Sequence, residues 1–232
     1  MIRESLILLE DNHLLVYNKQ PGDIVQGDKT GDEPLSEQLK TYIGTKYAKP
    51  GNVFLGVVHR IDRPVSGTVV FARTSKALTR LNAMLKDGTM TKTYWAVVQN
   101  PPPEPSGHLV HYLTRNEKQN KSYVHETLKT DAKRAELYYE TRARSDRYSL
   151  LEIRLVTGRH HQIRAQLAHI GCPIRGDLKY GYPRSNPDGS IQLHARSISF
   201  THPVKNTSVT VEAAPPDEAV WNLFNHVQAA VR

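Results

Sequence analysis

Two polar segments hold the side chains best suited to chemistry. His59-Arg60-Ile61-Asp62-Arg63-Pro64-Val65-Ser66-Gly67 sets one carboxylate between two arginines, on a loop directly after an apolar run. Flanking guanidinium groups favour the ionised carboxylate, so Asp62 suits a nucleophile or base better than a proton donor at neutral pH. Taken alone, Asp-Arg-Pro better fits an Asp that closes a turn through its own backbone, and spacing by itself does not outweigh that reading. In Thr157-Gly158-Arg159-His160-His161-Gln162-Ile163-Arg164 a strand ends at a glycine and a short helix begins. Helix N-terminal amides together with Arg159 would seat a phosphate, and Arg164, a turn further on, is able to grip a carboxylate bidentately. Solvated surface charge is the plainer alternative for both arginines. The neighbours His160 and His161 point about 100° apart on a helix. With no His-x-x-x-His or carboxylate partner set beside them, no metal is expected. A third segment, Lys92-Thr93-Tyr94-Trp95-Ala96, offers aromatic rings for stacking on a base. Adjacent strand residues face opposite sides, so only one of Tyr94 and Trp95 lines a given cleft.

Positioning these side chains requires a scaffold, and the patterning describes one. Leu6–Glu10 and Leu14–Lys19, split by Asp11-Asn12-His13 and closed by Pro21-Gly22, read as a hairpin. Pro34, at a position favoured for a first helical residue, followed by Leu35, Leu39 and Tyr42 at helical spacing, predicts a helix over Glu33 to about Thr45. Val53–His59 and Thr68–Ala72 predict strands on either side of the Asp62 loop. Thr74 or Ser75 caps a helix carrying Leu78, Leu81, Met84 and Leu85, stopped by Gly88. Further strands are expected at Thr91–Gln99, His108–Leu113, Ser122–Glu126, Arg134–Ala143, Ser149–Leu155, Ile191–Phe200 and Ser208–Glu212. Helices are expected at His161–Ile170 and from Asp217, the latter with Val220, Leu223, Phe224 and Val227 inward. Pro101–Gly107 reads as a linker or a stiff surface loop. Strands outnumber helices and rarely alternate with them, which predicts a mixed α+β fold with a central, largely antiparallel sheet flanked by helices.

Composition narrows the partner. The formal charge is +8 with a pI near 9.5, and the window 154–205 carries eight Lys and Arg against Asp177 and Asp188, which is +6 of that total. Concentrated positive charge points to a polyanion such as nucleic acid rather than to general solubility. A single cysteine, Cys172, excludes an internal disulfide framework and any multi-cysteine metal site, as suits a reducing compartment. No run approaches the roughly 20 apolar residues of a membrane span, and Met1-Ile2-Arg3-Glu4-Ser5 lacks the features of a secretory signal, so a cytoplasmic location is expected.

At these motifs the chain resembles the RluA-type family of RNA pseudouridine synthases. The family loop His-Arg-Leu-Asp-x-x-Thr-Ser-Gly is matched by 59–67, and Thr-Gly-Arg-Thr-His-Gln-Ile-Arg with Leu-Ala-His-Ile-Gly-x-Pro-Ile-x-Gly-Asp by 157–164 and 167–177. Lys92-x-Tyr94-x-Ala96 is similar to its tyrosine strand, and the resemblance covers about residues 6–213. It implies that Asp62 is the carboxylate that attacks the target uridine, that Arg164 pairs with it, and that Tyr94 lies against the flipped uracil. Arg60 would fill the space the base leaves. Arg63, Arg159, His161 and Gln162 would contact RNA, while Ile163, Ser66 and Gly67 support the site. The reaction breaks the N-glycosidic bond and rejoins uracil through C5, so no cofactor is implied; attack at the uracil ring and attack at the ribose C1′ both stay open. Val65, Ile61 and His160 depart from the family's Thr, Leu and Thr, and Lys19-Gln20-Pro21-Gly22 shifts its Lys-Pro-x-Gly by one. Many relatives carry a basic RNA-binding domain ahead of the catalytic one; here a single catalytic domain over 1–232 without that domain is expected, acting as a monomer on ribosomal or transfer RNA. A catalytically inactive RNA-binding module on the same fold is the alternative, and a hydrolase built on His160, His161 and Asp62 a more distant one.

Overall fold

The computed structural model describes residues 2–27 and 31–229, the side chains of 228 and 229 excepted. Two compact units emerge, Met1–Met90 with Ala195–Ala214, and Thr91–His194 with Pro215–Arg232.

In the first unit β1 (Ile7–Glu10) and β2 (Leu14–Lys19) form the expected hairpin. Asp11 closes it, Oδ1 accepting from the amides of His13 and Leu14 at 2.8 and 2.9 Å. Leu6 falls instead in a 3-10 turn, Glu4–Leu6. Helix α1 spans Leu35–Lys46; Pro34 is its extended cap residue, φ −74° and ψ 152°, so the helix begins at Leu35 rather than at Glu33 or Pro34. The chain continues through β3 (Gly56–Val57), β4 (Ser66–Ala72) and α2 (Ser75–Lys86), then returns for β10 (Leu193–Thr201), which belongs here from Ala195 onward, and β11 (Ser208–Glu212). Thr74 caps α2, its hydroxyl oxygen accepting from the Ala77 amide at 3.1 Å.

β4 lies between β2 and β10, with β3 pairing only Phe71 and Ala72. β2 occupies one edge of β4 along its length, so β3 and β10 must share the other, which is why the strand predicted over Val53–His59 is only two residues long. Beyond Val57 the contact is completed by Val58 N donating to Val70 O and by Val70 N donating to the His59 ring. All seven residues of β4 are buried. Leu14, Val16, Val70 and Ala72 pack with Ala77 and Leu81 of α2, while Leu15, Tyr17, Val69 and Phe71 pack with Leu35, Leu39 and Ile43 of α1. Helices on both faces explain the continuous apolar runs of these strands.

The second unit is an antiparallel sheet in the order β5-β9-β8-β6-β7, with β5 (Thr91–Val98), β6 (Ser106–Asn116), β7 (Lys121–His125), β8 (Lys133–Arg144) and β9 (Ser149–Leu155). The Pro-rich stretch is not a linker: it lies inside this unit, Thr141 N donates to Pro105 O at 2.7 Å, and Ser106 already starts β6. The register puts Tyr94, Ile153 and Tyr139 on one face, which α3 (Gln162–His169) covers through Ala165 against Leu113 and Ala135. Trp95, Val97 and Leu150 face the other way. There the expected terminal helix is broken into α4 (Ala219–Asn222) and α5 (Asn225–Ala229). The turn between them shifts the helical phase, so Trp221 joins Phe224 and Val227 in the core while Leu223, expected inward, is 47% exposed. Among the described residues no helix is long and apolar enough to cross a membrane.

Candidate active site

The Asp62 loop is held from below by a lysine. Lys19, the last residue of β2, is fully buried, and its Nζ donates to the carbonyls of Gln20 (2.9 Å), Arg63 (3.1 Å) and Val65 (2.7 Å). Those three acceptors engage every proton of an ammonium group. Burial pulls the Lys19 pKa down to about 7, against the opposing fields of the Asp23 and Asp62 carboxylates. Gly22 N adds a bond to Arg63 O, and Val65 N closes a turn onto Asp62 O at 3.0 Å. Asp62 is thus the first residue of a tight turn and is itself partly buried, with Arg60 and Arg63 exposed beside it. Arg63 forms an ion pair with Asp32 at 2.7 Å.

Ser66 and Gly67 are buried where the loop enters β4. Gly67 has φ +117°, and a Cβ there would sit 2.3 Å from Ala195 O, so neither the conformation nor the space admits a side chain.

In the second unit Tyr94 is 8% exposed on the α3-covered face of β5. Trp95 is core, its ring N–H donating to Glu152 at 3.2 Å, which settles which of the two aromatics faces α3. Entry into α3 is built around Gln162. Its side chain is buried, Nε2 donating to Glu136 O at 3.0 Å and Oε1 accepting from Thr157 Oγ1 at 2.8 Å and from Arg159 N at 2.9 Å. The Arg159 amide is therefore spent on protein. The Arg159 side chain stays exposed, with Nε on Arg134 O. His161 is left-handed at φ 52° and caps the helix instead of lying within it; its ring is buried, 2.9 Å from Tyr180 Oη and stacked on His160. Both His161 and Gln162, expected at the RNA, are buried in this structure. Ile163 is buried behind them.

Arg164 is 5% exposed and gripped bidentately by Asp177, Nε to Oδ2 at 2.7 Å and Nη2 to Oδ1 at 2.9 Å. The guanidinium lies 5.2 Å from the Tyr180 ring centre. The Tyr180 hydroxyl also accepts from Ser122 N, so this ring is fixed from two sides. Lys19, Asp177 and Tyr180 were not singled out as site residues by sequence reasoning; the only available signal was their place in or beside the matched motifs.

The fold compares with solved structures. Human RNA Pseudouridylate Synthase Domain Containing 4 aligns with a TM-score of 0.79 at 21% identity, over 95% of this chain and 93% of that one. The architecture is thus of the pseudouridine synthase kind. The family described as RNA pseudouridylate synthase matches residues 13–169. Uncharacterized RNA pseudouridine synthase YlyB of Bacillus subtilis is 34% identical, over 91% of this chain and 69% of that protein. Ribosomal large subunit pseudouridine synthase D of Zymomonas mobilis is 32% identical with the same coverage. The chain belongs to the RNA pseudouridylate synthase family and is an isomerase acting on RNA.

Proposed function

We propose that the chain isomerises specific uridines of ribosomal RNA to pseudouridine, with Asp62 as the catalytic carboxylate. The observation that carries this is the loop geometry: two of the loop's carbonyls, Arg63 and Val65, converge on buried Lys19 and present one carboxylate flanked by arginines, in a member of this family. The relatives named as ribosomal large subunit synthases favour that RNA over transfer RNA. Both units would act together as one catalytic domain. The family resemblance implies that Arg164, oriented by Asp177, pairs with Asp62, and that Tyr94 lies against the extruded uracil while Arg60 takes its place in the stack. Arg60, Arg63, Arg159, His161 and Gln162 contact the RNA, with Ile163, Ser66 and Gly67 in support. The C1′–N1 bond breaks, C1′–C5 forms, the C5 proton leaves to solvent and the freed N1 takes up a proton, so atoms balance without a cofactor. The enzyme works as a cytoplasmic monomer.

Asp62→Asn and Asp62→Ala test the reading. Tritium release from C5-tritiated uridine in ribosomal RNA should vanish, while RNA affinity stays within a few-fold. Retained turnover overturns the assignment, and absence of release by the wild type favours an inactive RNA-binding module.

A further inference from the structure

His111, Glu126 and His169 meet on the second unit although they come from the middle of β6, the residue after β7 and the last residue of α3. His169 Nε2 lies 2.5 Å from Glu126 Oε1, and His111 Nε2 lies 3.8 Å from Glu126 Oε2. One donor atom from each residue falls within 4.8 Å of the others, and the two imidazole rings stand edge to face at 5.0 Å. No metal is expected from the sequence, where these three residues lie 15 and 43 positions apart and form no ligand-spaced motif.

We propose that these three residues bind a divalent first-row transition ion of the Zn²⁺, Co²⁺ or Ni²⁺ class, with water in the remaining position. Ligand bonds of about 2.0–2.2 Å in a tetrahedral site place donor atoms about 3.4 Å apart. Reaching that from donor separations within 4.8 Å takes shifts of about an ångström, and Glu126 and His169 are both exposed and able to make them. Two imidazoles and one carboxylate select this class over Mg²⁺ or Ca²⁺, which take oxygen ligands.

A second observation sits behind His111. Gln166, one turn before His169, is fully buried, and its Oε1 has no hydrogen-bond partner while Nε2 lies 2.9 Å from His111 Nδ1. A metal on Nε2 leaves the His111 proton on Nδ1. Turning the Gln166 amide by half a revolution brings Oε1 to that proton, at the cost of the long contacts of Nε2 to Ala135 O (3.3 Å) and Leu109 O (3.5 Å). Metal-bound histidines are oriented by an acceptor of this kind, and the orphaned oxygen supplies it. The ion would fasten the β6–β7 hairpin to the C-terminal end of α3, the helix that carries Arg164.

The test is titration of the untagged chain with Co²⁺ alone, read by visible d–d absorption and by the melting temperature. One equivalent should bind and raise the melting temperature. Glu126→Gln and His169→Ala, at exposed positions that leave the core untouched, should each raise the dissociation constant at least tenfold, and His226→Ala, on α5, should not. Failure of the wild type to take up one equivalent overturns the proposal, as does uptake by Glu126→Gln and His169→Ala within tenfold of the wild type.

Discussion

Asp177→Asn isolates the grip on Arg164. Both partners are withdrawn from water, with side-chain exposures of 6% for Arg164 and 1% for Asp177, and two short bonds join them. Removing one partner of a buried pair leaves an uncompensated charge and costs about 3–5 kcal/mol. An asparagine keeps the shape and one acceptor but turns an N–H toward the guanidinium, so the loss should lie in that range for Asp177→Ala and toward its lower end for Asp177→Asn. With a urea dependence of roughly 3 kcal/mol per M, the midpoint of Asp177→Ala falls by about 1–2 M. If Arg164 acts on Asp62 in the chemical step, kcat falls further than stability alone dictates while KM stays close to the wild-type value. Urea denaturation followed by fluorescence, and tritium-release kinetics on the variants that remain folded, give both quantities; Leu178→Ala, next door and exposed, is the control. An Asp177→Asn enzyme with the wild-type urea midpoint and wild-type kcat refutes the reasoning.

Lys19→Met strips three carbonyls of their donor, one of them fully buried, at a cost of about 1–3 kcal/mol for that one. Turnover should drop more than global stability, and hydrogen exchange of residues 60–66 should accelerate. Gly67→Ala forces a Cβ into the Ala195 backbone at a positive φ, and the variant should be recovered unfolded or with a melting temperature lowered by many degrees. The Asp11 carboxyl is held well below the usual range: burial pushes it up, but bonds from the His13 and Leu14 amides, Lys205 and His202 outweigh that. Its folded pKa is depressed, so its contribution is present above about pH 4 and lost as pH falls. The melting-temperature gap between wild type and Asp11→Asn should therefore narrow from pH 7 to pH 3.

Local patterning made much of this protein legible. The β1–β2 hairpin, the Thr74 cap and the opposite orientations of Tyr94 and Trp95 all follow from spacing over a few residues. What stayed hidden depends on partners distant in sequence. The extent of β3 is set by β10, which arrives over a hundred residues later, and the break between α4 and α5 reflects Trp221 fitting against Trp95 and Leu150. Gln162 reads as a polar helix start suited to RNA, yet Glu136 and Thr157 claim its amide. Lys19 reads as the charged end of a hairpin, and only the loop folding over it shows that it is buried.

The split composition of the first unit bears on the order in which the protein can form. Residues 91–194 separate Met90 from Ala195 along the chain, so on the ribosome β4 emerges long before the strand that fills its second edge. Until Ala195 follows, the backbone beside Gly67 lacks its neighbour and Thr68 Oγ1 lacks the carbonyl it donates to. Closing so long a loop is entropically slow. The loop that presents Asp62 is therefore completed only late in synthesis, and a nascent chain arrested before residue 195 carries Asp62 beside an unfinished sheet.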